Sequence, residues 1–269
     1  MDVQTTFIGS APRIAVDHAG AGPLALLLHG VGGNRSNWRD QLPVFAQHFQ
    51  AVAWDARGYG DSDDYDGPLD MADFSADLLR VIDHFRAPRA HLIGLSMGGM
   101  IAMDFYQRHP DQVASLVLCD TGPGLRRTMS DAGVEEFLRL RKAPLLAGRQ
   151  PAEFAPVVAR SLVSPAARAG ALDQLVASLS RLHPQSYLKA LECVTRYDGI
   201  GDLRGYRVPA LVVVGADDTL TPPSVSERMA AEIPGAELCV IDDAGHLSNI
   251  EQPEAFNRRV LDFLRAQAR

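Results

Sequence analysis

Six short runs of nearly unbroken apolar residues punctuate this chain, at Leu24–Leu28, Ala51–Trp54, His91–Gly94, Ala114–Cys119, Ala210–Val214 and Glu237–Ile241. A strand with one wet face alternates apolar and polar residues. A strand that is apolar at successive positions is covered on both faces, as parallel strands flanked by helices are. Segments of helical period lie between the runs. Phe74, Leu78, Val81, Ile82 and Phe85 recur every three or four residues behind a cap at Asp70 or Asp73, and Met97–His109 runs up to Pro110. Near the C-terminus Pro253 opens a helix with Phe256, Val260 and Phe263 on one face. Two more alternating segments, Val3–Ile8 and Arg13–Asp17, predict an antiparallel start to the sheet. The expectation is an α/β fold built on a mostly parallel, doubly wound sheet with right-handed crossovers.

One stretch breaks the rhythm. Residues 122–204 carry helical patterns divided by Pro144, Pro151, Pro156, Pro165 and Pro184, and no convincing strand. The chain therefore reads as a core made of residues 1–121 and 205–269, with a helical cap, 122–204, inserted between two of its strands. A length of 269 residues suits one such domain.

The segment His91-Leu-Ile-Gly94-Leu-Ser96-Met-Gly98-Gly99 is a strand, a G-x-S-x-G turn and the start of a helix. A serine on so sharp a turn takes strained backbone angles, and the residues two positions away on either side must be small. Gly94 and Gly98 meet that need, and Gly99 lets the helix approach the sheet. Ser96 then stands at a helix N-terminus, where developing negative charge is favoured. A serine hydroxyl is a weak nucleophile and needs a general base. Among eight histidines, His246 lies in the loop after the last apolar run. That end of an open sheet faces the crevice where ligands bind. His18, His48, His84, His109 and His183 have no such setting and read as surface or packing residues. A carboxylate must orient the base from its other nitrogen. Asp217 and Asp218 follow one strand and Asp120 ends another, whereas Asp242 and Asp243 are too close to His246 in sequence and read as solvated. The glycine-rich stretch Gly30-Val31-Gly32-Gly33 lacks the Gly-Lys-Ser/Thr ending of a phosphate loop.

Taken together, His29-Gly30, Asp55-Ala-Arg57-Gly58-Tyr-Gly60-Asp-Ser62, Gly94-Leu-Ser96-Met-Gly98-Gly99, Gly215-Ala-Asp217-Asp218 and Gly245-His246 resemble the α/β-hydrolase superfamily over nearly the whole chain. The resemblance implies Ser96 as nucleophile and His246 as base. Its acid stands three residues past the glycine and four before the proline, which points to Asp218 and leaves Asp217 as a turn former. Asp120 is the rival, because some relatives keep their acid on that strand. The backbone N–H groups of Val31 and Met97 are the implied oxyanion donors. His29 would order the oxyanion loop, Asp55 and Arg57 would form a buried pair that fixes the loop near the site, and Trp38 would start a helix packed as core.

Within the superfamily the chain looks similar to 3-oxoadipate enol-lactonases and small carboxylesterases. The features are Gly94-Leu-Ser96-Met-Gly-Gly-Met-Ile101, the cap size and Thr221-Pro222-Pro223. The run from Gly32 to Trp38 also resembles carbon–carbon hydrolases of aromatic ring-fission pathways. The implied chemistry is hydrolysis of a small ester or lactone through an acyl-enzyme, with no metal and no organic cofactor. Serine at the elbow, rather than aspartate or cysteine, argues against dehalogenases and epoxide hydrolases and against dienelactone hydrolases. A small-molecule receptor of the same fold, keeping these residues but turning over slowly, is the reading from another class. No cap motif identifies the substrate-binding side chains. Arg126 and Arg127 read as a solvated pair, with contact to an anionic substrate as the alternative.

The bulk properties narrow the partners. A net charge of -7 disfavours a phosphate backbone, so no nucleic acid is expected. The apolar runs are strand-sized, far short of the ~20 residues of a membrane span. The first residues lack the basic start and apolar core of a secretory leader. Cys119, Cys193 and Cys239 are odd in number and scattered, unlike a disulfide framework or zinc site. Cys119 and Cys239 sit in strand-like runs, where buried thiols are expected. A reducing cytoplasm fits this pattern.

Overall fold

The computed structural model describes residues 2–267. Its centre is an eight-stranded sheet of β1 (Gln4–Ile8), β2 (Ile14–Ala19), β3 (Leu24–Leu28), β4 (Gln50–Trp54), β5 (Ala90–Leu95), β6 (Val113–Cys119), β7 (Ala210–Gly215) and β8 (Glu237–Ile241), in the order β1-β2-β4-β3-β5-β6-β7-β8. The pairs β1–β2 and β2–β4 are antiparallel and every other pair is parallel. The expected α/β architecture with its antiparallel start is the one observed. The fully buried strands β3, β5 and β7 are those without polar alternation.

Strand β8 departs from the expectation. Its run Glu-Leu-Cys-Val-Ile is apolar enough to be covered on both faces, yet β8 lies at the sheet edge, with Leu238 39% and Val240 44% exposed. Cys239 is accordingly only half-buried, while Cys119 is buried. Continuous apolarity reports burial only where a neighbour exists on each side, and β8 has β7 alone.

Register sets where the loops after the strands lie. Leu28 pairs with Gly94, Gly94 with Leu118, and Cys119 with Val213, so β3, β5, β6 and β7 end along one edge of the sheet. Strand β3 lies between β4 and β5, and the winding reverses there. Ligand crevices form at such a reversal, outside the carboxyl ends of the strands.

The helices cover both faces. In α1 (Leu42–Phe45) and α2 (Met71–His84) the buried residues are apolar apart from Ser75 and Asp77, and the Asp70 side chain caps α2 in a reciprocal box with Asp73. Helix α3 (Met97–Arg108) buries every residue from Met97 to Phe105 behind the sheet. Between β6 and β7 stand α4 (Leu125–Thr128), α5 (Asp131–Leu146), α6 (Pro151–Arg160), α7 (Ala171–Leu179) and α8 (Pro184–Arg196), with no strand among them. The fold closes with α9 (Pro223–Glu232), α10 (Ser248–Glu251) and α11 (Pro253–Gln267). Trp38 is buried as expected, but it ends a short 3-10 turn, Arg35–Trp38, capped by Asn34, rather than starting a helix. Among the described residues no helix is long and apolar enough to cross a membrane.

Candidate active site

Ser96 sits between β5 and α3 with φ 53 and ψ -116, outside the regions a side-chain-bearing residue ordinarily adopts. The surrounding structure forces this. A Cβ at Gly94 would lie 2.3 Å from the Gly98 carbonyl oxygen, and one at Gly98 would lie 2.1 Å from that of Leu28. The turn can be this tight only where those residues have no side chain. The Ser96 carbonyl is pinned by the Thr121 hydroxyl, which donates to it at 2.7 Å.

The other predicted residues converge on Ser96 from separate strand ends. The Ser96 hydroxyl lies 3.0 Å from His246 Nε2, and His246 Nδ1 lies 2.8 Å from Asp218 Oδ2. With Nδ1 protonated, the imidazole donates to Asp218 and offers its Nε2 lone pair to the serine. Asp218 also accepts from the Leu220 and Thr221 amides, at 2.8 and 2.9 Å, and from the Thr221 hydroxyl at 2.7 Å. Burial raises the pKa of Asp218, but the His246 charge and these bonds outweigh it and hold the carboxylate below its ordinary range. Burial likewise lowers the pKa of His246, yet the charge and hydrogen bond of Asp218 dominate and the net shift is upward.

The rival carboxylate has a different place. Asp120 accepts from the Gly215 amide at 2.9 Å and from the amide and hydroxyl of Ser248, at 3.1 and 2.6 Å. It ties the ends of β6 and β7 to the start of α10, and burial with the like charge of Asp218 pushes its pKa up. The carboxylate on His246 is Asp218.

Val31 and Met97 flank Ser96 on the wall of one cavity. Met97 is the first residue of α3, so its amide has no intrahelical acceptor. Among the described residues the Val31 amide has no protein acceptor either. His29 braces this loop as expected. Its Nδ1 bonds the Gly30 carbonyl at 2.8 Å and its Nε2 accepts from the Ala56 amide at 3.0 Å, while burial lowers its pKa and keeps the ring neutral. The expected Asp55–Arg57 pair does not form. Asp55 pairs with Arg35, whose amide also donates to it at 2.7 Å, and Arg57 pairs with Asp77 on α2 at 2.6 Å. Their sequence proximity hid the fact that the chain turns between them. Asp217 does more than shape its turn, since Ser164 beyond α6 donates to it at 2.6 Å.

Two chambers meet at Ser96 and His246. The larger, about 690 Å³ and open to solvent, lies under α5 and α8 with walls that include Met100, Leu125, Phe137, Arg141 and Leu191. The smaller, about 440 Å³, lies on the His29–Gly33 side and is lined by Asn37, Trp38, Leu175 and Asn249. Arg126 and Arg127 line neither the chamber nor the serine. Arg126 pairs with Asp131, and Arg127 donates to the Asp198 and Gly201 carbonyls.

Two residues here were missed in the sequence. Glu251, on α10, accepts from the amides of Gly245, Leu247 and Ser164 at 3.0, 3.1 and 2.7 Å, and so clasps the His246 loop from both sides. Nothing in its local sequence marks it. Arg141 did leave a signal: it occupies the apolar stripe of α5 with Val134, Phe137, Leu138 and Leu145, where a charge is out of place.

This is the fold of a hydrolase, with the loops that bring Ser96, Asp218 and His246 together on the carboxyl edge of an open sheet. The profile of the α/β hydrolase fold matches residues 23–253, and the chain belongs to that family. It is similar to the 2-hydroxy-6-oxononadienedioate/2-hydroxy-6-oxononatrienedioate hydrolase of Paraburkholderia phymatum, at 31% identity over 95% of this chain and 92% of that protein. Among solved structures it is similar to a thermophilic esterase from Thermogutta terrifontis with malate bound, at 29% identity and TM-score 0.88, covering 99% of this chain and 100% of the other. It is also similar to the enol-lactonase from Burkholderia xenovorans, at 25% identity and TM-score 0.85, covering 97% and 99%.

Proposed function

We propose that this chain is a serine hydrolase that opens small carboxylic esters or lactones through an acyl-enzyme on Ser96. The observation that carries the reading is the pair of hydrogen bonds from Ser96 to His246 and from His246 to Asp218 at the junction of two chambers. Ser96 Oγ attacks the carbonyl carbon as its proton passes to His246 Nε2, and Asp218 stabilises the imidazolium. The tetrahedral oxyanion lies between the amides of Val31 and Met97, each such donor contributing about 3 kcal/mol to lowering the barrier. The C–O bond breaks as His246 returns the proton to the leaving oxygen. A water then repeats the cycle on the acyl-enzyme and frees Ser96. Residues 122–204 act as a cap over the core formed by 1–121 and 205–269, and the two chambers divide the acyl and leaving-group halves of the substrate between them.

The test is steady-state hydrolysis of short p-nitrophenyl esters by the wild type and Ser96→Ala, with fluorophosphonate labelling of both. Multiple turnover and labelling, with a loss of about 10^4- to 10^6-fold in the variant, support the reading. Equal activity in both proteins removes Ser96 from the chemistry and overturns it.

A second reading is a carbon–carbon hydrolase of ring-fission products. The Paraburkholderia relative favours it, since that protein is named for a 6-oxo dienedioate, which offers a ketone rather than an ester to a nucleophile. Turnover of such a dienedioate faster than of any ester would select it.

A further inference from the structure

Among the described residues the buried and half-buried arginines are satisfied by carboxylates, with one exception. Arg35 pairs with Asp17, Asp55 and Asp61, Arg57 with Asp73 and Asp77, and Arg168 with Asp40. Arg141 is the exception. It lines the larger chamber together with Ser96 and His246, and it forms no ion pair or hydrogen bond with any described residue. The centroid of the Phe137 ring lies 5.5 Å from its guanidinium carbon. The chamber wall holds no carboxylate: besides Ser96 and His246 its polar side chains are the hydroxyls of Thr121, Thr128, Tyr187 and Thr221, and most of the rest, Leu125 and Leu191 among them, is apolar. A guanidinium stays charged in such surroundings, and an uncompensated charge there is unfavourable unless a ligand supplies its counter-ion. Burial accordingly works against its charged form.

We propose that Arg141 is a specificity residue: it binds a carboxylate carried on the substrate, so that the preferred ester or lactone is an anion with an apolar body between the carboxylate and the scissile carbonyl. The planar fork of a guanidinium matches a carboxylate with two parallel N–H···O bonds. The aromatic face of Phe137 holds the fork from one side. The arrangement orients as well as binds, because a substrate anchored at Arg141 reaches Ser96 only in the direction the apolar walls allow. The inference rests on Ser96 being the nucleophile, and the experiment keeps the two claims apart.

The probes are two matched ester pairs followed by pH-stat titration. Monomethyl adipate against methyl hexanoate places the carboxylate on the acyl side. Acetoxyacetate against propyl acetate places it on the leaving-group side. At least one carboxylate ester should exceed its uncharged match tenfold or more in kcat/KM with the wild type. Arg141→Gln should erase that preference, mainly through KM, Arg141→Lys should restore part of it, and Arg126→Gln should keep it. A wild type without a charge preference overturns the assignment, as does an Arg141→Gln enzyme that keeps one. If no ester is turned over and fluorophosphonate leaves Ser96 unlabelled, the hydrolase reading fails by itself. The arginine is then judged by calorimetric titration of adipate into Ser96→Ala with and without Arg141→Gln, where saturable binding that needs Arg141 sustains the proposal and its absence sinks it.

Discussion

A single proton position governs the chemistry of His246. In the proposed mechanism the imidazole accepts the serine proton only when neutral, and Asp218 raises its pKa by favouring the charged form. The activity measured as kcat/KM therefore falls as pH drops through a midpoint above the ordinary histidine range. Asp218→Asn removes the charge that holds this midpoint up. The acid limb of its pH–rate profile should move downward, with kcat lower by about 10^4-fold, as expected when the base loses its proper tautomer. Asp120→Asn should cost less than tenfold in kcat, because Asp120 bonds Gly215 and Ser248 rather than the imidazole. A larger loss there than in Asp218→Asn would reverse the assignment. Arg141 acts in the opposite sense, since its positive charge disfavours protonation of His246. Arg141→Gln should shift the acid limb upward. Ser96, Asp218 and His246 were legible in the sequence because each sits beside its own strand end within a short motif. Glu251 and Arg141 take their meaning from residues far along the chain, and no local pattern encodes those partners.

At the scale of elements, the approach of helix to strand is what builds the elbow. Gly98→Ala sets a methyl group 2.1 Å from the Leu28 carbonyl, a backbone atom that cannot swing aside. The variant should lose at least about 1–3 kcal/mol of stability, the usual cost of overpacking, read by denaturant titration. Glu251→Ala strands three buried amides, those of Gly245, Leu247 and Ser164. Each orphaned donor costs about 1–3 kcal/mol, so a loss of about 3 kcal/mol or more is expected, with kcat reduced because the His246 loop is no longer held. A change within measurement error would mean the clasp is redundant. Strand existence and order of appearance were readable from apolar runs, since covered strands have no polar face to show. Whether a strand is central or marginal was not, because the pairing partner rather than the strand decides it. The exposed Leu238 and Val240 of β8 are the result.

For the whole molecule, the response to acid follows from groups that pull in opposite directions. Burial raises the folded pKa of Glu251, and burial with Asp218's charge raises that of Asp120, so the stability they contribute is full at low pH and is lost as pH rises through the folded values. His91 and His29 are buried neutral, His91 with its pKa pushed down to about 4, so the unfolded chain gains protons below 6.5 that the fold refuses. These two sets oppose each other over the same range. Asp61 and Asp63, held down by hydrogen bonds from Arg35 and Arg13, contribute stability above the ordinary carboxylate pKa that is lost as pH falls through their folded values. The melting temperature should therefore stay nearly level from pH 7 to about 5 and drop below about pH 4. A steady decline starting near pH 6.5 would show that the histidines prevail.

The tie between His246 and the segment around Leu162 has a consequence for transplantation. The His246 amide donates to the Leu162 carbonyl at 2.8 Å, and Ser164 shares the clasp of Glu251. The proposed cap and the loop bearing His246 are thus one mechanical assembly. A chimera that imports a foreign stretch for residues 122–204, in search of a new substrate, inherits a working imidazole only if its backbone presents a carbonyl and an amide where Leu162 and Ser164 now do. Recombination breakpoints on either side of 160–166 that leave this small patch native should yield active hybrids far more often than those that exchange it.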